Sequence, residues 1–250
     1  DRRRKFHVTV LLRALGMQPE ELLNHFYKTD TVACDTDKPL LEVKPQQLVG
    51  LKATRDVRDP KSNDLIVREG RRFTRAVMRQ MESASIKRIP IVWEDVLGRV
   101  AAHDVVDPET NQVILECNEA ITEEKLDEIR GSRVKQLDLF FLDDADTGPY
   151  LRNTLMQDKM QSCDDALLEI YRRLRPGDPP TMDTAATFFN NLFFSPERYD
   201  LSRVGRLKLN HRLKLELPLE HGALRKEDIL EVVRYLIELR NGSGSVDDID

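Results

Sequence analysis

The rhythm of hydrophobic positions changes twice along the chain. Val8, Leu11, Leu12 and Leu15 fall at i, i+3, i+4 and i+7, the stripe of a helix that Gly16 closes. Pro19 opens a second helix through Glu20, Leu22, Leu23 and Phe26. After Tyr27 the helical spacing is lost. From about residue 28 to 147, short β-like runs alternate with turns and two short helices. Beyond Pro149 the helical spacing returns with Leu167, Ile170, Tyr171 and Leu174, a stripe that Pro176-Gly177 stops. Pro179-Pro180 stiffens the turn that follows, and Thr181 caps a helix carrying Ala185, Phe188, Phe189 and Leu192. A last helix runs from about Lys226 to Arg240, with Ile229, Val232, Val233 and Leu236 on its apolar side. Asn241-Gly242 ends it, and Gly242-Ser243-Gly244-Ser245 reads as a flexible loop.

The middle stretch repeats itself with a period of 48 residues and no gap, Gly50 matching Gly98. Ala53 pairs with Ala101, Asp56 with Asp104, Asp59-Pro60 with Asp107-Pro108, Asn63 with Asn111 and Thr74 with Thr122. Each copy reads as strand, Asp-Pro turn, strand, helix, strand. The shared residues are those that make turns, caps and core, so the repeat preserves a fold rather than a site. The chain is therefore α+β: a mostly helical domain of residues 1–27 and 148–250, interrupted by an inserted α/β module at 28–147. Two tandem strand-strand-helix-strand repeats, at about 48–92 and 96–141, build the insertion.

Composition narrows the class. Hydrophobic residues make up 40% and charged residues 33% of the 250, a balance suited to a multi-lobed chain. No apolar run approaches the roughly 20 residues that span a bilayer, and no signal peptide opens the chain, so a soluble protein is expected. Cys34, Cys117 and Cys163 are odd in number and widely spaced, which suits a reducing cytoplasm. A net charge of −5 excludes a surface that coats nucleic acid everywhere, leaving room for a local basic strip. The chain opens on Asp1 without a Met and stops at Asp250 after a loop, and both ends read as cuts in a longer polypeptide.

Candidate chemistry is sparse. Arg2-Arg3-Arg4-Lys5 is the densest basic run. Arg172, Arg173 and Arg175 end a helix at a stiff Pro/Gly tip, more cations than the helix dipole alone requires, which favours an anion or nucleic-acid contact. Arg203, Arg206, Lys208, Arg212 and Lys214 alternate with Val204, Leu207, Leu209 and Leu213, the pattern of a half-buried strand with a solvated face. Asp247, Asp248 and Asp250 are acids of the type that hold Mg²⁺, yet nothing in the sequence supplies further ligands. The five histidines stand alone, and no phosphate loop, dinucleotide fingerprint or nucleophile elbow is present.

Several runs resemble the bacterial RNA polymerase β subunit. They are Asp1-Arg2-Arg3-Arg4-Lys5 before a Leu-rich helix, Gly148-Pro149-Tyr150, Ile170-Tyr171-Arg172, and Arg175-Pro176-Gly177-Asp178-Pro179-Pro180-Thr181. Asn191-Leu192-Phe193-Phe194, Arg198-Tyr199-Asp200-Leu201-Ser202, Val204-Gly205-Arg206, Arg240-Asn241-Gly242 and Val246-Asp247-Asp248-Ile249-Asp250 complete the set, in the family's order. The resemblance implies that the outer stretches are the β lobe, a wall of the downstream DNA channel, and that 28–147 is a lineage-specific insertion. It implies that Asp1 and Arg2, with Arg3 and Arg4 beside them, meet Asp248, Ile249 and Asp250 around an unstacked guanine of the non-template strand. It matches Arg173, Arg175, Gly177 and Asp178 to the gate loop near downstream DNA. Asp178 stands where the family carries Glu, and Phe6-His7 where it carries Leu-Pro.

The implied role is a nucleotidyltransferase segment with no catalytic residue or cofactor of its own, the enzyme's Mg²⁺ being held by the partner subunit. Implied partners are DNA, the β′, α and ω subunits and σ factor, in the cytoplasm at the nucleoid. An alternative makes the piece a docking platform for transcription regulators, the insertion being the contact surface. A free-standing metal nuclease built on the terminal aspartates has only those acids behind it.

Overall fold

The computed structural model describes residues 5–34, 38–143 and 147–246. The chain divides into two compact units, one of residues 1–26 with 142–250, the other of 27–141. It is α+β, with ten α-helices and small antiparallel sheets among the described residues.

In the second unit, β1 (Lys28–Ala33), β2 (Leu40–Glu42), β5 (Arg88–Pro90) and β8 (Gln136–Phe141) form an antiparallel sheet in the order β5-β2-β1-β8. Two small hairpins flank it: β3 (Val57–Arg58) with β4 (Leu65–Val67), and β6 (Val105–Val106) with β7 (Val113–Leu115). Helix α3 (Pro45–Leu48) precedes the first hairpin, α4 (Arg75–Ser83) follows it, and α5 (Glu123–Gly131) follows the second.

Local chemistry is the same in the two hairpin-and-helix copies. Asp59 Oδ1 accepts from Lys61 N at 2.7 Å, and Asp107 Oδ1 from Glu109 N at 2.9 Å. Asn63 and Asn111 both take left-handed φ, 62° and 57°, which Asn tolerates in a tight turn. Thr74 Oγ1 accepts from Val77 N and Thr122 Oγ1 from Lys125 N, each at 3.3 Å, capping the two helices. Both copies empty their apolar faces into one core. Val57, Val67, Phe73 and Met81 come from the first, Leu115, Ile121, Leu126 and Ile129 from the second, with Val32, Leu137 and Leu139 from the sheet. Each such buried side chain contributes roughly 1.5–3 kcal/mol relative to exposure.

In the first unit, α1 (Val8–Ala14), α7 (Cys163–Leu174) and α8 (Met182–Phe193) pack Val10, Ala14, Ala166, Leu167, Ile170, Ala185 and Phe189 together. Phe6, Tyr171, Phe193 and Phe194 close the edge of that cluster. Helices α2 (Pro19–Phe26), α6 (Tyr150–Gln157), α9 (Ser202–Leu213) and α10 (Lys226–Arg240) complete the unit.

Two expectations are corrected here. The basic stretch from Arg203 to Leu213 is a helix, not a half-buried strand. Its buried stripe is Arg206, Asn210 and Leu213, two of them polar, so the apolar residues never trace a helical period. On α10 the buried face is Asp228, Ile229, Leu230 and Val233, whereas Val232 and Leu236 are 40% and 57% exposed. The inner stripe runs through Ile229, Leu230 and Val233 with the polar Asp228 beside them, which turns Val232 and Leu236 outward. No helix among the described residues is long and apolar enough to cross a membrane.

Candidate nucleic-acid interface

The site is built on the turn between α7 and α8. Ser162 caps α7, its hydroxyl accepting from Asp165 N at 3.0 Å, and Asp164 and Asp165 face the positive end of the helix dipole. Arg172 and Arg173 face the negative end. The chain leaves the helix at Arg175, turns through Gly177 at φ 102°, and re-enters α8 through Pro179, Pro180 and Thr181. Asp178 N donates to Arg175 O at 3.3 Å across that turn. Thr181 and Thr184 cap α8 reciprocally, Thr181 Oγ1 accepting from Thr184 N at 3.3 Å and Thr184 Oγ1 from Thr181 N at 3.1 Å. Residues Arg175 to Pro179 are all exposed. The turn runs into the capped start of α8, and Pro176, Pro179 and Pro180 restrict its backbone, so it is a stiff, exposed tip.

The three arginines of the turn have different surroundings. Arg173 is committed to the unit: its Nε meets Glu169 Oε1 at 2.6 Å, and its guanidinium also donates to the carbonyl of Lys5. Arg172 lies 3.9 Å from Glu169, a loose exposed pair of little energetic weight. Arg175 lies over the Phe188 ring, 5.6 Å from its centroid, with its charge open to solvent. Of the sequence-predicted tip residues, Arg175, Gly177 and Asp178 are therefore all exposed, while Arg173 is mostly a fastening.

Arg173 and Lys5 also share a cavity of about 490 Å³ with His7, Asp158, Lys159 and Glu169. Asp158 lies within 3.3 Å of Arg13, and the two side chains are 1% and 10% exposed. The described end of the amino-terminal basic run thus lies against the helix that carries the tip. Asp1, Arg2, Arg3 and Arg4, and Asp248, Ile249 and Asp250, lie outside the described residues, so the meeting of the two ends belongs to the proposal below.

Sequence reasoning missed the device that leads into the acidic end. Arg212 donates to Tyr235 Oη at 3.1 Å and to Ser245 Oγ at 3.0 Å, and Tyr235 Oη donates to Ser245 O at 2.8 Å. The hydrogen bonding from Ser245 and the charge of Arg212 hold the Tyr235 phenol below its ordinary value. Gly244, at φ 88°, lies so close to Tyr235 that an added Cβ would stand 3.0 Å from its hydroxyl. The Gly/Ser segment read as flexible is therefore seated on α10. Its composition hides this, because the anchors are the distant Arg212 and Tyr235. Among the described residues no three or more His, Cys, Asp or Glu side chains gather as for a metal ion.

The sequence profile of RNA polymerase Rpb2, domain 2, matches residues 112–250, which includes α7, the tip and α8. Over its whole length the chain is 56% identical to the DNA-directed RNA polymerase subunit beta of Geobacter metallireducens and 51% to that of Sorangium cellulosum. It is 48% identical to the subunit beta of Myxococcus xanthus. It spans 18–19% of the length of these curated relatives. With more than half of its residues under that profile, the chain belongs to the family of RNA polymerase Rpb2, domain 2.

Proposed function

We propose that the chain is a segment of the β subunit of a DNA-directed RNA polymerase, forming one wall of the downstream DNA channel and part of a pocket for an unstacked non-template guanine. The family membership carries this reading, and the stiff cationic tip supports it. An exposed turn with the Arg175 charge open to solvent suits contact with backbone phosphates, since arginine makes bidentate, charge-assisted bonds to them. In the guanine pocket Asp250 accepts from the Watson–Crick edge and Arg2 stacks or hydrogen-bonds, with Asp1, Arg3, Arg4, Asp248 and Ile249 around them. The segment itself contributes no catalytic group. Mg²⁺ is held by the partner subunit, and the other partners are the β′, α and ω subunits and σ factor, in the cytoplasm at the nucleoid.

Residues 28–147 are, on the same proposal, an insertion into the lobe. A second reading makes this insertion a landing surface for transcription regulators. It is favoured by the separate core of the 27–141 unit. Reconstituted polymerase tests both. Asp250→Ala should abolish the preference for guanine over adenine at the downstream edge of the bubble, and a retained preference overturns the pocket. Deleting 28–147 should leave basal transcription intact, with any loss of regulator response assigning docking to the insertion.

A further inference from the structure

The two hairpin-and-helix copies share a backbone but carry opposite charge. Residues 50–90 hold eleven Lys and Arg against five Asp and Glu, a net of +6. The equivalent residues 98–138 hold five against ten, a net of −5. The sign reverses from basic to acidic at five positions: Lys61 stands where Glu109 does, Arg68 where Glu116, Arg71 where Glu119, Arg75 where Glu123 and Arg79 where Asp127. All ten side chains are exposed, so core packing does not dictate the difference.

The basic copy keeps its cations at a cost to its own fold. Lys52 lies directly across an antiparallel bridge from Arg72, where like charges repel. Arg75 and Arg79 are one turn apart on α4, another repulsive pair, and Arg75 sits in the first turn, where the helix dipole favours an acid. The acidic copy has Val100 across from Ala120, and Glu123 and Glu124 in the first turn of α5. Among the described residues no carboxylate lies within ion-pair reach of Arg68, Arg71, Arg75 or Arg79, whereas Arg58 is paired with Asp56 at 3.5 Å.

Exposed arginines without an ion-pair partner, at positions where the other copy of the same backbone carries acids, point to an external polyanion. We infer that the basic copy of the repeat, through Arg68, Arg71, Arg75 and Arg79, is a contact site for the phosphate backbone of duplex DNA. An acidic protein partner would need an apolar centre to its interface. The exposed face of α4 offers Arg75, Ala76, Arg79, Gln80, Glu82 and Ser83, with no large apolar side chain. DNA-binding surfaces are of this kind, polar and strongly positive. The acidic copy repels the same duplex, so the contact is confined to the basic copy. The inference stands on the charge of this unit and does not depend on the role given to the α7–α8 tip.

The test uses the full 250-residue chain and a labelled random-sequence duplex, with affinity measured across a salt series. The variant Arg68→Glu, Arg71→Glu, Arg75→Glu, Arg79→Asp installs residues that the other copy already carries on the same backbone. A companion with Gln at all four positions guards against misfolding, which circular dichroism and Trp93 fluorescence report. Both variants should lose at least tenfold in affinity at low salt. The dependence of log affinity on log salt should flatten by about 0.9 for each arginine that touches a phosphate. Lys at the four positions should retain binding. Unchanged affinity and slope in the folded Glu/Asp or Gln variant overturns the inference. So does equal competition by polyglutamate at matched charge, which would assign the site to a carboxylate-rich protein.

Discussion

Arg206 and Asp228 are both fully buried and joined by two hydrogen bonds of 2.9 Å, from one guanidinium nitrogen to both carboxylate oxygens. The remaining guanidinium donors reach the carbonyls of His221 and Ala223, and Asp228 accepts from Arg225 N at 2.9 Å. Asn210, one turn further along α9, donates to Leu217 O at 2.7 Å. Together they clamp the 214–225 connection between α9 and α10.

Breaking this pair from one side leaves a buried charge without its partner. Asp228→Ala should destabilise the first unit by about 3–5 kcal/mol. The single tryptophan, Trp93, belongs to the second unit, so helix loss by circular dichroism should shift to lower denaturant while the Trp93 transition stays in place. Coincident shifts of both signals would show that the clamp is not confined to its own unit.

The two helix caps of the repeated copies should be worth the same. Thr74→Ala and Thr122→Ala each remove one hydroxyl acceptor from an otherwise unpaired N–H and should each cost about 1 kcal/mol in the Trp93 transition. A loss in one and none in the other would mean that tertiary packing, not the cap, sets the start of that helix.

Gly177 takes φ 102° with open space around the position of a side chain. Gly177→Ala should therefore cost about 1 kcal/mol through backbone strain alone, without a steric clash. Duplex binding by the tip should weaken with it. Binding and stability indistinguishable from the parent would mean that the turn is free to adopt another shape.

Burial, followed by the charge of Arg234, holds His25 below the ordinary imidazole value of 6.5. The folded state thus takes up this proton less readily than the unfolded chain, so the stabilisation is complete above the unfolded value. It is lost as pH falls through 6.5 toward the lower folded value. Urea midpoints of the first unit should drop between about pH 7.5 and about pH 5, and His25→Gln should reduce the drop. An equal drop in that variant would assign the dependence to other groups.

Legibility in the sequence followed the chemistry of the buried faces. α7 and α8 could be read because their inner positions are apolar at helical spacing, with Thr181 as the cap of the second; the Ser162 cap of the first emerged only from the structure. α9 could not, because Arg206 and Asn210 occupy its inner stripe and are satisfied by groups 7 to 22 residues away. The same non-locality hid the seat of Ser245, which depends on Arg212, 33 residues earlier. The tip itself was legible, since Gly177 and Pro179-Pro180 are local backbone signals. That Arg173 fastens the helix to the amino-terminal segment was not, because that acceptor is the carbonyl of Lys5, 168 residues away.

The pairing of β1 with β8 has one more consequence. Lys28 lies opposite Phe141, so the polypeptide enters and leaves the second unit at the two sides of a single rung of that ladder. Paired residues of that kind stand only about 5 Å apart at their Cα atoms. A bridge of a few residues is enough to sew 27 to 141 into a closed ring, or to seal the gap left in the host when the cassette is taken out. Transplantation of this cassette into an unrelated surface hairpin is thereby reduced to a question of two adjacent splice points.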